Sequence, residues 1–328
     1  MGNALSRLRA EGVAVWAETT LTAEGPEAGI RAAVTEGRVT GLRITAPLDA
    51  APDAVRHACD LLSRADRTPS GAVGPVVLPV LPPPGPDPDA RSLVAAARAL
   101  VRAVDRPNLR VGLPGVPAVA EAVTDLIAEG VSVQVGPVYS GERLGELVRA
   151  HLAGLERAVD AGLDLSSIDL GVEFAVGPVD GAVDVLLDKA GTEEAKAFQG
   201  RAGLAAARLA YHEFAEAWAP GASPRLAALV AAGARPGLLV WTSAYDLVPG
   251  RRGTRYVEEL VAPGTAVVLP AGVLDAVAQD ALIGGARAHR EREGSRRVLD
   301  YLSWFGVRHP EVVAELERAP VDRPAVAA

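Results

Sequence analysis

Eight short apolar runs, each followed by a longer stretch of helical pattern, recur along this 328-residue chain. Each run is rich in β-branched or other aliphatic residues and is bounded by Gly, Pro or Asp, as strands are. Strands that are apolar nearly throughout are typical of a parallel sheet covered on both faces. The eight runs occupy residues 12–18, 39–47, 74–82, 108–114, 131–138, 168–177, 236–243 and 265–271.

The stretches between the runs show apolar residues every three or four positions, which predicts amphipathic helices. The clearest helices are predicted at 87–105, 140–162 and 192–219, with Asp87 or Asp89, Ser140 and Thr192 as N-caps. Eight strands alternating with helices predict one (β/α)8 barrel of the α/β class over residues 1–318, with 319–328 as a disordered tail. The rival, a doubly wound open sheet, normally has a Gly-rich phosphate loop after its first strand, and AETTLTAEG has none.

Charge and composition narrow the range of partners and compartments. A formal net charge of −8 disfavours binding to nucleic acid, and no apolar run is long enough to span a membrane. The single Cys59 and the lack of a signal-peptide pattern predict a cytoplasmic protein. No cofactor is expected, because no nucleotide-binding loop occurs, and no metal site, because the five histidines lack ligand spacing.

Lysine is unusually scarce in this sequence. The only two lysines, Lys189 and Lys196, fall within helical patterns rather than at the end of a predicted strand. An imine-forming lysine needs a neutral amine, which a desolvated pocket can provide. We therefore predict that the barrel cannot carry out Schiff-base chemistry.

Several segments resemble the transaldolase family. They are residues 104–144, 151–168, 179–214 and 255–276, in family order and spacing, and the similarity covers most of residues 10–310. The resemblance implies a circularly permuted (β/α)8 barrel of the class I aldolase type. It also implies transfer of a three-carbon ketol unit between sugar phosphates through a lysine Schiff base.

The resemblance also shows where this chain departs from the family pattern. Gly112 stands where the family has its Schiff-base lysine, and Pro79 stands where it has its acid/base glutamate. The strand-two signature of the family is also changed, at residues 44–47. Further departures, which affect the family's other polar and phosphate-binding positions, are Glu18, Gln134, Gly136, Glu173 and Pro178. The nucleophile, the acid/base group and the phosphate-binding groups are lost together, and a glutamate at position 173 would repel a phosphate. We therefore predict a pseudoenzyme that has lost transaldolase activity and binds a metabolite or protein partner.

Polar residues nevertheless remain near the ends of the predicted strands. Glu18 and Glu173 are the candidate catalytic acid and base, although either could instead be a solvated residue or a salt-bridge partner of Arg43. The predicted pocket-lining residues are Arg43, Thr45, Arg110, Gly112, Gln134, Thr242, Ser243, Tyr245 and Asp246. The alternative function is therefore a lysine-free enzyme that uses carboxylate acid/base chemistry on an unphosphorylated small molecule. The nearby Arg251, Arg252 and Arg255 leave a local anion site open.

Overall fold

Eight parallel strands close into a barrel in the computed structural model, which describes residues 3–22, 24–45, 52–65, 73–80, 88–246, 248 and 251–319. The strands in chain order are β1 (Val13–Thr19), β2 (Leu21–Thr22), β3 (Gly25–Pro26), β4 (Gly41–Ile44), β5 (Val76–Pro79), β6 (Leu109–Pro114), β7 (Val133–Val138), β8 (Leu170–Ala175), β9 (Leu238–Thr242) and β10 (Thr265–Pro270). All except β2 and β3 belong to the barrel, in the order β1-β10-β9-β8-β7-β6-β5-β4. The prediction of a single (β/α)8 barrel is confirmed.

Helices surround the barrel. They are α1 (Ala4–Ala10), α2 (Ala28–Thr35), α3 (Pro52–Arg64), α4 (Ala90–Val104), α5 (Val119–Ala128), α6 (Gly141–Asp160), α7 (Gly177–Ala190), α8 (Glu193–Phe198), α9 (Ala202–Ala217), α10 (Pro224–Ala231), α11 (Arg255–Glu259), α12 (Leu274–Asp280), α13 (Arg292–Tyr301) and α14 (His309–Arg318). Short 3-10 turns lie at Leu165–Ser167, Ala271–Val273 and Leu302–Phe305. Within the described residues, no helix combines the length and apolar character needed to cross a membrane.

The predicted helix caps are largely confirmed. The side chains of Asp89, Ser140 and Thr192 accept hydrogen bonds from backbone N–H groups in the first turns of α4, α6 and α8. The prediction of one helix over 192–219 is wrong, because the chain breaks between α8 and α9 at Gly200, whose φ is +70°. Asp87 and the proposed tail residues 320–328 lie outside the described residues, so the tail and the domain boundary stay predictions.

The alternation of side chains along each strand sorts them into two cores. In β4, Leu42 and Ile44 point outward into the main core under the helices, and in β8 Leu170, Val172 and Phe174 do the same. The inward positions form a separate small core within the barrel, made of Ala14, Trp16, Val77, Val240, Ala266 and Val268. Among the remaining inward positions, those that carry polar side chains or glycine define the site.

Candidate functional site

Arg43 lies between two glutamates near the carboxyl ends of three barrel strands. Its Nη1 is 2.6 Å from Oε2 of Glu18 on β1, and its Nε is 3.0 Å from Oε1 of Glu173 on β8. The charge of Glu173 raises the pKa of the Arg43 guanidinium more than burial lowers it. The pKa of Arg43 is therefore raised. The Glu18 side chain is 25% exposed and that of Glu173 only 5%, so Glu18 is the carboxylate that a ligand can reach.

Further polar contacts lead from Glu173 down through the barrel. Gln134 Nε2 lies 3.4 Å from Glu173 Oε1, and Gln134 Oε1 lies 3.2 Å from Arg110 Nη1. Arg110 Nη2 is in turn 3.2 Å from Asp169 Oδ2, and Arg235 Nη2 is 3.1 Å from Asp169 Oδ1. Asp169 directly precedes β8 and Arg110 is the second residue of β6, so this end of the chain of contacts lies at the amino end of the barrel.

Two glycines provide the space that these polar side chains occupy. A Cβ on Gly171 would lie 1.8 Å from Gln134 Oε1, and a Cβ on Gly136 would lie 2.4 Å from Glu173 Cβ. Both distances are far shorter than van der Waals contact. Gln134 therefore occupies the space that a side chain at position 171 would need, and Glu173 occupies the space that a side chain at position 136 would need. The positions of Gln134 and Glu173 therefore depend on glycine on the adjacent strand.

Position 112 is also tightly enclosed. A Cβ on Gly112 would lie 2.9 Å from Pro79 Cα, the residue opposite it in the β5–β6 register. The two lysines lie elsewhere: Lys189 is exposed near the end of α7, and Lys196 on α8 pairs with Glu193 at 2.8 Å. Both lysines therefore occupy helices, as the sequence predicted.

The predicted site residues at the end of β9 and on the loop after it differ in their burial and contacts. Thr242 is buried at the end of β9, Ser243 is exposed with φ +49°, and Tyr245 is half-buried against Gly253. The Asp246 carboxylate lies 3.2 Å from Arg255, which also contacts the buried Asp180 on α7. Desolvation raises the pKa of Asp180.

The three arginines that left an anion site open each pair with a carboxylate. Arg251 lies 2.8 Å from Asp184, Arg252 lies 3.0 Å from Glu258, and Arg255 bridges Asp180 and Asp246.

Thr45, after β4, donates a hydrogen bond to the backbone of Thr19 at 3.4 Å. Among the described residues, no cluster of three or more His, Cys, Asp or Glu side chains could hold a metal ion.

Comparison with known proteins identifies the family. Residues 38–325 match the family described as Transaldolase/Fructose-6-phosphate aldolase. The chain belongs to this family. Among curated relatives, the transaldolase of Mycolicibacterium paratuberculosis is 40% identical over 271 residues, covering 83% of this chain and 72% of the relative.

Two further relatives are equally similar. The transaldolase of Thermobifida fusca is 41% identical over 269 residues, covering 82% of this chain and 72% of the relative. Transaldolase 1 of Streptomyces avermitilis is 39% identical over 263 residues, covering 80% of this chain and 68% of the relative. These matches extend along most of the barrel.

The relatives contradict the prediction of a pseudoenzyme that has lost transaldolase activity. Proteins about 40% identical over most of the chain are named transaldolase, and the alternative of a different carboxylate enzyme acting on an unphosphorylated molecule is not favoured either. The sequence predicted that Glu173 would repel a phosphate and left a salt bridge with Arg43 open. In the structure Glu173 is paired with Arg43, which offsets that charge.

The sequence predicted five members of the polar chain but not three of the residues that support it. These five were predicted because they lie on or at the ends of predicted strands: Glu18, Arg43, Arg110, Gln134 and Glu173. Asp169, Arg235 and the Trp16 ring, 5.7 Å from the Arg110 guanidinium, were missed. The available signal was Arg110 itself, because a guanidinium on the inner face of a barrel strand requires a buried anion.

Proposed function

We propose that this chain is a working transaldolase that binds its ketose donor where Arg43 lies between Glu18 and Glu173. The observation that carries the proposal is this arginine with one carboxylate on each side, at 2.6 and 3.0 Å. Barrel enzymes hold their active sites at the carboxyl ends of the strands, which is where these residues lie. The names of relatives that are 39 to 41% identical support the reaction class.

Ketol transfer requires two kinds of group. The donor hydroxyl beyond the broken carbon–carbon bond loses its proton, the aldehyde fragment leaves, and the electron pair of that bond passes toward the ketone oxygen. The ketol carbon then adds to the carbonyl carbon of the acceptor aldehyde, whose oxygen takes up the proton. Glu18, the more accessible of the two carboxylates, is the proposed proton acceptor, and the N–H groups of Arg43 are the proposed donors to the ketone oxygen.

We further propose that the reaction proceeds without an imine on a strand-end lysine. The resemblance assigns that lysine to position 112, which is glycine here, and both lysines of the chain lie exposed on helices. A hydrogen-bonded ketone is a weaker electron acceptor than an iminium ion. We therefore expect a kcat that is low for this family. The proposed reaction also makes a sugar, rather than a protein, the ligand of the site.

The test uses the full chain with fructose 6-phosphate as donor and a short aldose phosphate as acceptor, with borohydride added in a parallel reaction. We expect mass spectrometry to detect the transferred ketol unit in the product and no change in the mass of the protein. A reduced adduct on Lys189 or Lys196 would overturn the proposal of an imine-free reaction. Failure to transfer the ketol unit at any donor concentration would overturn the proposed function.

A further inference from the structure

We propose that Arg110, at the amino end of the barrel, is a positioning residue for the site at the carboxyl end. It acts through Gln134, which holds the Glu173 carboxylate against Arg43. The catalytic meaning of this inference rests on the function proposed above, but the positioning itself does not. Arg110 is too far along the chain of contacts to touch a ligand at Arg43, since Gln134 and Glu173 lie between them.

The neighbours of the Gln134 amide fix its orientation. A guanidinium can only donate hydrogen bonds, so the amide atom 3.2 Å from Arg110 Nη1 must be the oxygen. The amide nitrogen then faces Glu173 Oε1 at 3.4 Å, where a carboxylate oxygen accepts. Without Arg110, a fully buried amide oxygen would lose its donor, which is costly inside a protein.

Arg110 is itself held firmly. It donates to Asp169 at 3.2 Å, and its guanidinium lies 5.7 Å from the centre of the Trp16 ring. Desolvation lowers its pKa, but a guanidinium remains protonated in proteins. Arg235 Nη2 also donates to Asp169 Oδ1 at 3.1 Å. The Asp169 carboxylate, which anchors Arg110, is therefore held by two arginines at the amino end of the barrel.

The space around the pair leaves little freedom. The Gln134 amide oxygen occupies the place of a side chain at Gly171, and Glu173 packs over Gly136 in the same way. A side chain that fills such a space has few other rotamers available. Movement of Arg110 is therefore passed on to Gln134 and from there to Glu173.

Glu173 in turn fixes Arg43. Its two oxygens lie 3.0 and 3.2 Å from Arg43 Nε, which directs Nη1 toward Glu18 and the carboxyl end of the barrel. Small displacements of a group that polarises a reacting carbonyl cost large factors in rate. Loss of Arg110 should therefore lower kcat more than it changes KM, because the residue contacts no substrate.

The side-chain amide signals of the protein make a direct test possible. The sequence contains three glutamines (Gln134, Gln199 and Gln279) and two asparagines (Asn3 and Asn108), so five side-chain NH2 pairs are expected in a nitrogen–proton NMR spectrum. The Gln134 pair is assigned by its loss in a Gln134→Met variant. Arg110→Met removes the donors, Arg110→Lys keeps a charge and donors, and Arg297→Met, on the exposed face of α13, is the control.

We expect the Gln134 NH2 protons to exchange slowly with water in the wild type. In Arg110→Met we expect exchange at least about tenfold faster, a changed Gln134 shift, and a fall in kcat of about tenfold. Arg110→Lys should restore most of the slow exchange and most of kcat. Arg297→Met should change neither the exchange nor kcat. A Gln134 pair with unchanged shift and exchange in Arg110→Met would overturn the proposal and leave Arg110 a purely structural residue.

One outcome separates this inference from the proposed function. If the wild type transfers no ketol unit but Arg110→Met still alters the Gln134 amide, the proposed function fails and the positioning of Gln134 stands.

If Arg110→Met does not fold, Asp169→Asn weakens the same anchor at a partly exposed residue. The Gln134 signals should then change in the same direction by a smaller amount, and unchanged signals would overturn the proposal.

Discussion

His151 shows at the scale of one residue how the surroundings set the behaviour of a side chain. It lies on α6, is fully buried, and its ring centre is 5.5 Å from that of Trp218. Neither ring nitrogen has a hydrogen-bond partner among the described residues. Burial lowers the pKa of His151 to about 4, because the charged imidazolium would be desolvated there.

This pKa predicts a loss of stability in mild acid. Below pH 6.5 the unfolded chain binds a proton at His151 that the folded chain does not bind, so the stability falls until the pH reaches the folded pKa. From pH 7 to pH 5 the wild type should lose about 2 kcal/mol through this residue. His151→Leu should remove that part of the pH dependence in urea unfolding, and His57→Leu, at an exposed position of α3, is the control. Equal pH dependence in wild type and His151→Leu would contradict this explanation.

Gly112 gives a second prediction for a single residue. An added Cβ would lie 2.9 Å from the backbone of Pro79, so Gly112→Ala should lower the free energy of unfolding by about 1–3 kcal/mol. The control is Gly181→Ala on α7, where no atom lies within 4 Å and alanine should stabilise the helix by up to about 1 kcal/mol. Thermal unfolding measures both. A neutral Gly112→Ala would mean that β5 and β6 leave room for a side chain here.

The sequence predicted part of the site because the strands and their ends follow from local patterns, and it missed the rest because contacts across the barrel are not local. Glu18, Arg43, Gln134 and Glu173 sit at inward positions that can be counted along each strand. The pairing of Arg43 with both glutamates, and the role of Asp169 beneath Arg110, depend on how eight strands are staggered around the barrel. A single sequence does not encode that stagger in any local pattern.

At the scale of elements, the break between α8 and α9 shows where helical periodicity misleads. The apolar pattern continues through residues 192–219, yet the chain turns at Gly200. Asp184 accepts a hydrogen bond from the Gly200 N–H at 2.8 Å, and Arg255 donates to the Gly200 carbonyl. These partners come from α7 and α11, so tertiary contacts override the local pattern.

The break also gives a prediction. Gly200 has φ +70°, and a Cβ there would lie 2.7 Å from Nη1 of Arg251, which is already paired with Asp184. Gly200→Ala should therefore cost more than the roughly 1–2 kcal/mol of the left-handed conformation alone. Gly162→Ala, with φ +73° and no atom within 4 Å, isolates that conformational cost. Equal losses in urea unfolding for the two variants would show that Arg251 moves aside freely.

At the scale of the whole molecule, the architecture was readable from the sequence and the activity was not. Each of the eight apolar runs contains one barrel strand, because burial on both faces of a parallel sheet requires nearly continuous apolar sequence. The functional prediction failed because it took the changed strand-end positions, above all the glycine at position 112, as a loss of activity, whereas relatives about 40% identical are named transaldolase. Glu173 shares the positive charge of Arg43 with Glu18, within a barrel that matches named transaldolases along most of its length.

The central claim is that ketol transfer takes place at Arg43 and not at a lysine. The most direct measurement is transfer of carbon-13-labelled ketol from fructose 6-phosphate to an aldose phosphate, compared between Arg43→Met and the double variant Lys189→Ala/Lys196→Ala. We predict that the double variant keeps the wild-type rate and that Arg43→Met lowers it by about 100-fold or more. Loss of transfer in the lysine variant, or an unchanged rate in Arg43→Met, would contradict the claim.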